Sequence, residues 1–340
     1  MGIDYHGQSM PTSFASCSLT YRPGQTLRDK MSAIRDAGFD AMELAMPDIL
    51  AFAEADTGTK PDERDFDSIV PVAERIKDIA AGLGLGILML QPFARFEGWS
   101  ESLFQRQRQD ALLRAKGWMS VMEALGTEIL QVGSSDAEGI TSSEEELAED
   151  LGMLADMCAE KGLRVAYENW CWATRAPTWR SVWNVVRRAD RPNLGLCLDT
   201  FQLSGAELAD PTTASGYIEG INGERLHERW KDSLNDLATS VPADKICLLQ
   251  ISDGYRMNPP VAGEDEAGQR PRSRWSHAYR PLPCDGGYLP VREVLDAVLA
   301  TGFRGWLSVE VFDPDKERAV SAGKYTSTAM GSLRKLLSMT

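Results

Sequence analysis

The sequence predicts a single (β/α)8 barrel that spans residues 1–340. Eight short apolar runs of strand length recur along the chain, and helical segments follow them. Residues 164–202 have the pattern strand, helix, strand, which is the βαβ unit of a parallel sheet. No low-complexity linker divides the chain, and barrels commonly exceed about 250 residues. A doubly wound open sheet is the alternative, but it does not require eight strands.

The elements are assigned in order from their periodicity and their flanking residues. The predicted strands are residues 12–19, 41–44, 87–92, 128–132, 164–168, 194–199, 246–252 and 306–311. The clearest predicted helices are residues 26–37, 66–83, 101–125, 143–161, 178–189 and 316–337. Thr141 or Ser143 can cap the fourth of these helices. Residues 47–65 are polar and carry glycine and proline, so we expect a loop with one short turn.

Three further segments are expected to lie outside the regular elements. Residues 1–11 are predicted to be a flexible tail. The loops at 204–225 and 253–287, after the sixth and seventh strands, are longer than a barrel needs. Long loops at the C-terminal face are usually functional or disordered. We therefore predict that residues 253–287 form a lid over the site.

Composition limits the class of function. The chain is 43% hydrophobic and 25% charged, as expected of a soluble globular protein, and its net charge is −14. Such a charge argues against nucleic acid or an anionic membrane as a partner. No apolar run reaches about 18 residues, no secretory signal is apparent, and the six cysteines are scattered. We expect a cytoplasmic protein with a small-molecule substrate, and the sequence allows a homodimer.

A polar residue stands at the end of each of the last four strands. These residues are Glu168, Asp199, Gln250 and Glu310. In a barrel such positions face a common mouth, so three carboxylates and one amide oxygen would converge there. Oxygen ligands of this kind suit Mg²⁺ or Mn²⁺, and the ligand types do not exclude Co²⁺. Any one acid could merely cap a loop, but four in phase favour a metal site.

The histidines exclude one class of barrel enzyme. Only His6, His227 and His277 occur, in the N-terminal tail, in a predicted surface helix and in the seventh loop. A polynuclear zinc endonuclease needs several histidine ligands at strand ends, and this chain has none there. DNA-repair chemistry is therefore not expected, in agreement with the negative charge.

Longer motifs carry a resemblance to a known family. The stretches QPFARFEGW, VAYENWCWAT, RPNLGLCLDTFQ and GGYLPV resemble the xylose isomerase-like (sugar phosphate isomerase/epimerase) superfamily. Within it, the chain is most similar to metal-dependent 3-dehydroshikimate dehydratases of fungal and bacterial quinate catabolism. The resemblance implies the metal ligands Glu168, Asp199, Gln250 and Glu310. The chain departs from the family pattern at Ala94 and Arg95, where arginine and aspartate are usual, and at Arg175, where histidine is usual. It also has Gln202 where a histidine or another small polar residue is usual.

The resemblance implies a divalent-metal-dependent lyase. It would dehydrate a cyclic β-hydroxyketone acid, as in 3-dehydroshikimate to protocatechuate, through a metal-stabilised enolate. The same ligands would serve a keto-sugar or polyhydroxy-ketone epimerase or isomerase, which is the alternative enzyme. A non-catalytic ligand-binding barrel is the third hypothesis. Candidate bases are Glu168, Glu310 and, if the lid closes, His277.

Loop and strand-end residues are candidates for substrate binding. The candidates are Arg280, Arg175, Arg256, Gln202, Glu97, Gln91, Trp172 and Asp253. Arginine binds carboxylates in bidentate fashion, and Arg280 matches an arginine usual in the family's seventh loop. Trp170 and Trp172 are expected to wall the pocket, whereas Trp179 is expected in the core. Cys171 has no activating motif and is expected to be a passive thiol.

Overall fold

Eight parallel strands close into a barrel in the computed structural model, which describes residues 2–5, 7–21, 24–99, 101–263 and 268–339. The barrel strands are β1 (Thr12–Ala15), β2 (Ala41–Ala45), β3 (Gly86–Phe93), β4 (Ile129–Gly133), β5 (Arg164–Glu168), β6 (Leu194–Asp199), β7 (Ile246–Ile251) and β8 (Trp306–Val309). Each strand pairs with the next, and β8 pairs with β1. The predicted single barrel is thus confirmed.

Helices surround the barrel. They are α1 (Leu27–Asp36), α2 (Met46–Thr57), α3 (Phe66–Leu83), α4 (Glu101–Leu125), α5 (Glu144–Ala159), α6 (Trp179–Ala189), α7 (Thr200–Glu207), α8 (Gly223–Ser240), α9 (Pro271–Ala278), α10 (Val291–Ala300), α11 (Pro314–Ala319) and α12 (Ala322–Ser338). Ser143 caps α5 by accepting a hydrogen bond from the amide of Glu146. The main core lies between these helices and the outer face of the strands.

The α2 helix occupies a segment for which the sequence predicts a loop. Pro47 stands in the first turn, where a missing N–H leaves no hydrogen bond unmade. Ile49, Leu50 and Ala53 are buried, and Gly58 ends the helix with φ of 76°. The loop prediction is wrong for these residues because tertiary packing of an apolar face outweighs the local composition.

The two chain ends also differ from expectation. Within residues 1–11, Ile3–Tyr5 pairs antiparallel with Gln8–Met10 as a hairpin, where the sequence predicts a flexible tail. The carboxylate of Asp40 holds this segment, because it accepts hydrogen bonds from the amides of Gly2 and Thr12. The predicted C-terminal helix is divided into α11 and α12, because Val320 is extended between them.

The interior of the barrel is layered. Small and apolar side chains form a separate cluster inside it; they are Ala41, Leu88, Met89, Ile129, Ala166, Cys197, Cys247 and Leu248. Side chains two residues further along a strand point in the same direction. Glu168, Asp199 and Gln250 follow Ala166, Cys197 and Leu248 in this way, so a polar layer lies above the apolar one. The parallel register places Asp199 beside Gln250.

The segment between β7 and α10 folds over the C-terminal end of the barrel. It contains α9, whose Trp275 is fully buried against Phe201 with ring centroids 4.4 Å apart. Residues 264–267 of the predicted lid lie outside the described residues. Among the described residues, no helix has both the length and the apolar character needed to cross a membrane.

Candidate metal and active site

Three carboxylates meet at the C-terminal end of the barrel. Glu168 ends β5, Asp199 ends β6 and Glu310 follows β8. One oxygen atom of each lies within 4.8 Å of the others. The three side chains are 2%, 0% and 5% exposed, so bulk water does not screen their mutual repulsion. We call Glu168, Asp199 and Glu310 the acidic cluster.

Burial and repulsion perturb the acidic cluster. Burial raises the pKa of Glu168 well above its usual range, and the nearby carboxylates of Glu310 and Asp199 raise it further. Burial raises the pKa of Asp199 to about 6, although the guanidinium of Arg280 acts in the opposite direction. A cluster of this kind holds its full negative charge only beside a cation.

Arg280 supplies one positive charge to the acidic cluster. Its Nη2 donates to Oδ2 of Asp199, and its Nη1 lies 3.1 Å from Oε2 of Glu310. Nε and Nη2 also donate to Oγ of Ser252, at 3.0 and 2.9 Å. Burial disfavours the charge of Arg280, but Asp199 and Glu310 hold its pKa above the ordinary value. The guanidinium proposed from sequence to bind a substrate carboxylate is therefore engaged with protein carboxylates here.

Glu43 and two glutamine amides form a second layer of contacts. Nε2 of Gln91 donates to Oε2 of Glu43 at 2.8 Å and to Oε1 of Glu310 at 2.9 Å. Nε2 of Gln250 donates to the same Glu43 oxygen at 2.8 Å. Burial raises the pKa of Glu43 to about 8, and the charge of Glu310 raises it too. Both amide hydrogens of Gln91 are used within the protein, so they do not face a substrate hydroxyl.

Gln131 is a site residue that the sequence reasoning missed. It is 1% exposed on β4, and its Nε2 donates to Oε2 of Glu168. The register pairs Gln131 with Ala166, whose side chain also faces the barrel interior. A polar residue inside the otherwise apolar run ILQV was the available signal.

Unpaired oxygen atoms test whether these residues fit a cation. Among the described residues, four buried acceptor atoms in and around the acidic cluster have no hydrogen-bond partner: Oε1 of Glu43, Gln131, Glu168 and Gln250. A buried acceptor without a partner costs about 1 to 3 kcal/mol. Because Gln250 turns its Nε2 to Glu43, its carbonyl oxygen is left for another ligand. Glu168, Asp199, Gln250 and Glu310 together offer the oxygen donors that a hard divalent cation prefers.

Two tryptophans lie beside the acidic cluster at the barrel mouth. Nε1 of Trp170 donates to Oε2 of Glu168 at 3.2 Å. Trp170 and Trp172 stack with ring centroids 5.1 Å apart and an interplanar angle of 22°. Gly133 permits this arrangement, since a Cβ there would lie 2.1 Å from Cε2 of Trp170. Both tryptophans line a cavity of about 990 Å³, which we call the mouth cavity.

The remaining loop candidates are dispersed around the mouth. His277 lines the mouth cavity, and its ring packs against Trp172 with centroids 5.5 Å apart. Partial desolvation by these neighbours lowers the pKa of His277. Arg175 is exposed and donates to the carbonyl of Ile140, while Arg256 is exposed beside the loop after β6. The structure does not bring these three residues into the acidic cluster; His6 lies outside the described residues and His227 is exposed on α8.

Three buried candidates hold loops in place. Oε1 of Gln202 accepts the amide of Cys171 at 3.0 Å. Oε1 of Glu97 accepts the amide of Ser135 and the hydroxyl of Tyr167, and Oδ1 of Asp253 accepts the amides of Gly254 and Leu289. Burial raises the pKa of Glu97 to about 7 and that of Asp253 to about 6. Burial also raises the pKa of the Cys171 thiol to about 12, which fits a passive thiol.

A closed barrel with buried carboxylates at its strand ends is the architecture of a known class of enzyme. Residues 31–336 match the model of the xylose isomerase-like TIM barrel family, and the chain belongs to that family. The family resemblance predicted from the sequence is thus confirmed. Activities of the lyase type and of the isomerase or epimerase type both fit this membership.

Individual relatives narrow the comparison. The chain is 30% identical over 320 residues to a 3-dehydroshikimate dehydratase of Neurospora crassa, covering 89% of this chain and 87% of the relative. It is 32% identical over 328 residues to a 3-dehydroshikimate dehydratase of Pseudomonas aeruginosa, covering 96% of this chain but only 41% of the relative. The chain thus spans less than half of that bacterial relative.

Solved structures share the fold. A xylose isomerase-like TIM barrel/4-hydroxyphenylpyruvate dioxygenase fusion protein superposes with a TM-score of 0.72 at 28% identity, covering 96% of this chain and 42% of that chain. The IOLI protein, crystallised with a zinc atom, superposes with a TM-score of 0.70 at 18% identity, covering 97% of this chain and 98% of that chain.

Proposed function

We propose that this chain is a divalent-metal-dependent lyase that dehydrates a cyclic β-hydroxyketone acid of the 3-dehydroshikimate type. The observation that carries the proposal is the acidic cluster, together with the unpartnered Oε1 atoms of Glu168 and Gln250 beside it. The dehydratases related to this chain at about 30% identity support the substrate class.

A divalent cation held by Glu168, Asp199, Gln250 and Glu310 would supply Lewis acidity toward the substrate ketone. The protein itself supplies positioning. Gln131 and Trp170 both donate to Oε2 of Glu168, and Gln91 donates to Oε1 of Glu310. These contacts orient the two carboxylates that we propose as proton acceptors on the route through an enolate. Mg²⁺ and Mn²⁺ are the proposed cations, with Co²⁺ as a third that the ligand types allow.

His277 is a further candidate for the base. Its ring lies against Trp172, which stacks on Trp170, and Trp170 in turn bonds to Glu168. It lines the mouth cavity, so it can serve a substrate that enters there, but it is not part of the acidic cluster. We therefore propose Glu168 or Glu310 as the base before His277.

A keto-sugar epimerase or isomerase is the second candidate function. The observation that favours it is the pair of glutamates, Glu168 and Glu310, in one cluster that includes no imidazole from the described part of the chain. The family resemblance gives a histidine or another small polar residue as usual at the position of Gln202. Removal and return of a proton by two carboxylates would give epimerisation with the same ligand set.

An ultraviolet assay separates the candidates. Mn²⁺-loaded protein is incubated with 3-dehydroshikimate, and protocatechuate formation is followed beside an EDTA-treated sample. We expect product only in the presence of metal. Bound metal without product would contradict the dehydratase proposal, and exchange of substrate protons from keto-sugars in D₂O would then support the epimerase.

A ligand variant tests the site. Glu310→Gln keeps the shape of the side chain but removes its charge, so we expect turnover to fall at least about a hundredfold. The exposed neighbour Asp315 provides the control variant Asp315→Asn, which should behave as wild type. Unchanged far-ultraviolet circular dichroism would show that Glu310→Gln is folded. Wild-type turnover in Glu310→Gln would remove Glu310 from the catalytic site.

A further inference from the structure

The mouth cavity is larger than a single six-membered ring acid needs. Its volume is about 990 Å³, and cavities of roughly 300–1,000 Å³ enclose ligands of drug size. Its walls come from the α2–α3 loop, the loop after β3, α4, the loops after β4 and β5, and α9 with the residues just before it. It adjoins the acidic cluster through Trp170, which bonds to Glu168. The cavity can therefore hold a part of a ligand that does not react.

Part of the cavity lining is aromatic and apolar. The stacked pair Trp170 and Trp172 lies there, with the ring of His277 against Trp172. Trp99 adds a further indole, and Leu113 on α4 is 66% exposed. Exposed leucine beside indole rings suits a planar, conjugated ligand, because such rings stack on aromatic faces and cover apolar surface.

The charged part of the cavity lining carries a net positive charge, in contrast to the net charge of −14 for the chain. Its charged side chains are four arginines, Arg64, Arg95, Arg106 and Arg114, against three acids, Glu63, Asp110 and Asp136. The single carboxylate of Asp110 is shared between Arg64 and Arg114.

The remaining arginines differ from one another. Arg95 is paired in bidentate fashion with Asp136, at 2.7 and 3.3 Å. Arg106 is exposed on α4, and within the described part of the chain it has no ion pair. The acids of the cavity are thus mostly engaged by arginine, and one guanidinium remains for an anion.

We propose that the mouth cavity binds a planar, conjugated anion, as the non-reacting part of a substrate larger than a simple cyclic keto acid. The proposal rests on the proposed function only in taking the acidic cluster as the reacting centre. Arg106 pairs with the anionic group, and Trp99, Trp172 and Leu113 cover the ring system. Binding energy gained by such a remote group can be used to position the reacting atoms.

Isothermal titration calorimetry of EDTA-treated protein tests the proposal without turnover. The probes are 2-naphthoate, the neutral 2-naphthylmethanol and the cationic 2-naphthylmethylammonium, which share one ring system. We expect 2-naphthoate to bind about tenfold more tightly than the alcohol, because a charge-assisted pair contributes about 1.4 kcal/mol. The cation should bind most weakly. Equal binding of all three probes, no binding at all, or tightest binding of the cation would overturn the proposal.

Two variants locate the binding site. Arg106→Gln should remove most of the preference for 2-naphthoate over the alcohol. Leu113→Ser should weaken the binding of 2-naphthoate and of the alcohol by about the same factor. Arg187→Gln, at an exposed arginine on α6, is the matched control and should keep the wild-type preference. An Arg106→Gln variant that binds like Arg187→Gln would place the anion elsewhere and overturn the assignment.

The two proposals can fail separately. Binding of 2-naphthoate does not depend on metal or on 3-dehydroshikimate turnover, so a positive titration with a negative dehydratase assay rejects only the proposed function. A positive dehydratase assay with no discrimination among the naphthyl probes rejects only the cavity proposal.

Discussion

Glu43 and Gln250 bond to each other across the barrel interior. Nε2 of Gln250 donates to Oε2 of Glu43 at 2.8 Å, and Oε1 of Gln250 is buried without a partner. An amide has one donor end and one acceptor end, so the contact with Glu43 decides which end faces the acidic cluster. Glu43 thereby leaves the oxygen of Gln250 as the free end for the proposed cation, although two strands, β8 and β1, separate β2 from β7.

We predict that Glu43→Met weakens Mn²⁺ binding about tenfold, in the range known for contacts that orient metal ligands. Methionine fills similar space but accepts no comparable hydrogen bond, so the amide of Gln250 is free to turn over. Glu43→Gln keeps one acceptor oxygen and should restore most of the affinity. Titration of free Mn²⁺ by electron paramagnetic resonance measures both variants. Wild-type affinity in Glu43→Met would show that Glu43 does not orient Gln250.

Glu97 should make stability depend on pH. Its pKa is about 7 in the folded chain against an ordinary value of 4.5, because burial disfavours the charged form. As pH rises from about 4.5 to about 7, the unfolded chain loses a proton that the folded chain retains, so stability falls over that window. This loss is on the order of 3 kcal/mol.

Glu97→Gln isolates this effect. The amide keeps an oxygen for the Ser135 amide and the Tyr167 hydroxyl, but it does not titrate. Relative to wild type, Glu97→Gln should gain stability between pH 4.5 and 7, with a constant difference above that range. Urea unfolding of EDTA-treated protein measures the free energy of unfolding at each pH, and the variant Glu149→Gln, at an exposed site, is the control. A difference in stability between Glu97→Gln and wild type that does not change with pH would contradict the titration of Glu97.

Arg280 should matter most for the metal-free protein. It is the guanidinium that pairs with Asp199 and Glu310, and removing one partner of a buried pair typically costs about 3 to 5 kcal/mol. We expect Arg280→Gln to lower the melting temperature of EDTA-treated protein more than that of Mn²⁺-loaded protein, because a cation can take over the neutralisation. Equal losses with and without Mn²⁺ would indicate a purely structural role. The control is Arg188→Gln, at an exposed arginine of α6.

Gly133→Ala should displace Trp170. The added Cβ would lie 2.1 Å from Cε2 of the indole, a distance that no rigid neighbour tolerates. The hydrogen bond from Trp170 to Glu168 would be lost, and we expect a red-shifted tryptophan emission together with severalfold weaker Mn²⁺ binding. Gly82→Ala, where a Cβ meets no atom within 4 Å, is the control. Unchanged emission and affinity would mean that the backbone yields instead of the indole.

The sequence by itself determined the barrel and the placement of its strand-end acids. Apolar runs of strand length with intervening helices require a parallel sheet, and in such a sheet the residues after each run share one end. Glu168, Asp199 and Glu310 could therefore be grouped without coordinates, and the structure brings their oxygen atoms within 4.8 Å. This grouping needs only local information, because it depends on which positions along each strand point to the same side.

Only the tertiary structure decided which side chains bond within that layer. Gln131 reaches it because β4 pairs directly with β5, whereas Glu43 reaches it because β8 closes the barrel and brings β2 within reach of β7. Arg280 enters the acidic cluster because the loop after β7 pairs its backbone with Phe312. The same dependence on packing made α2 a helix where composition predicts a loop. Contacts between distant segments arise from closure and burial, and no single stretch of sequence encodes either.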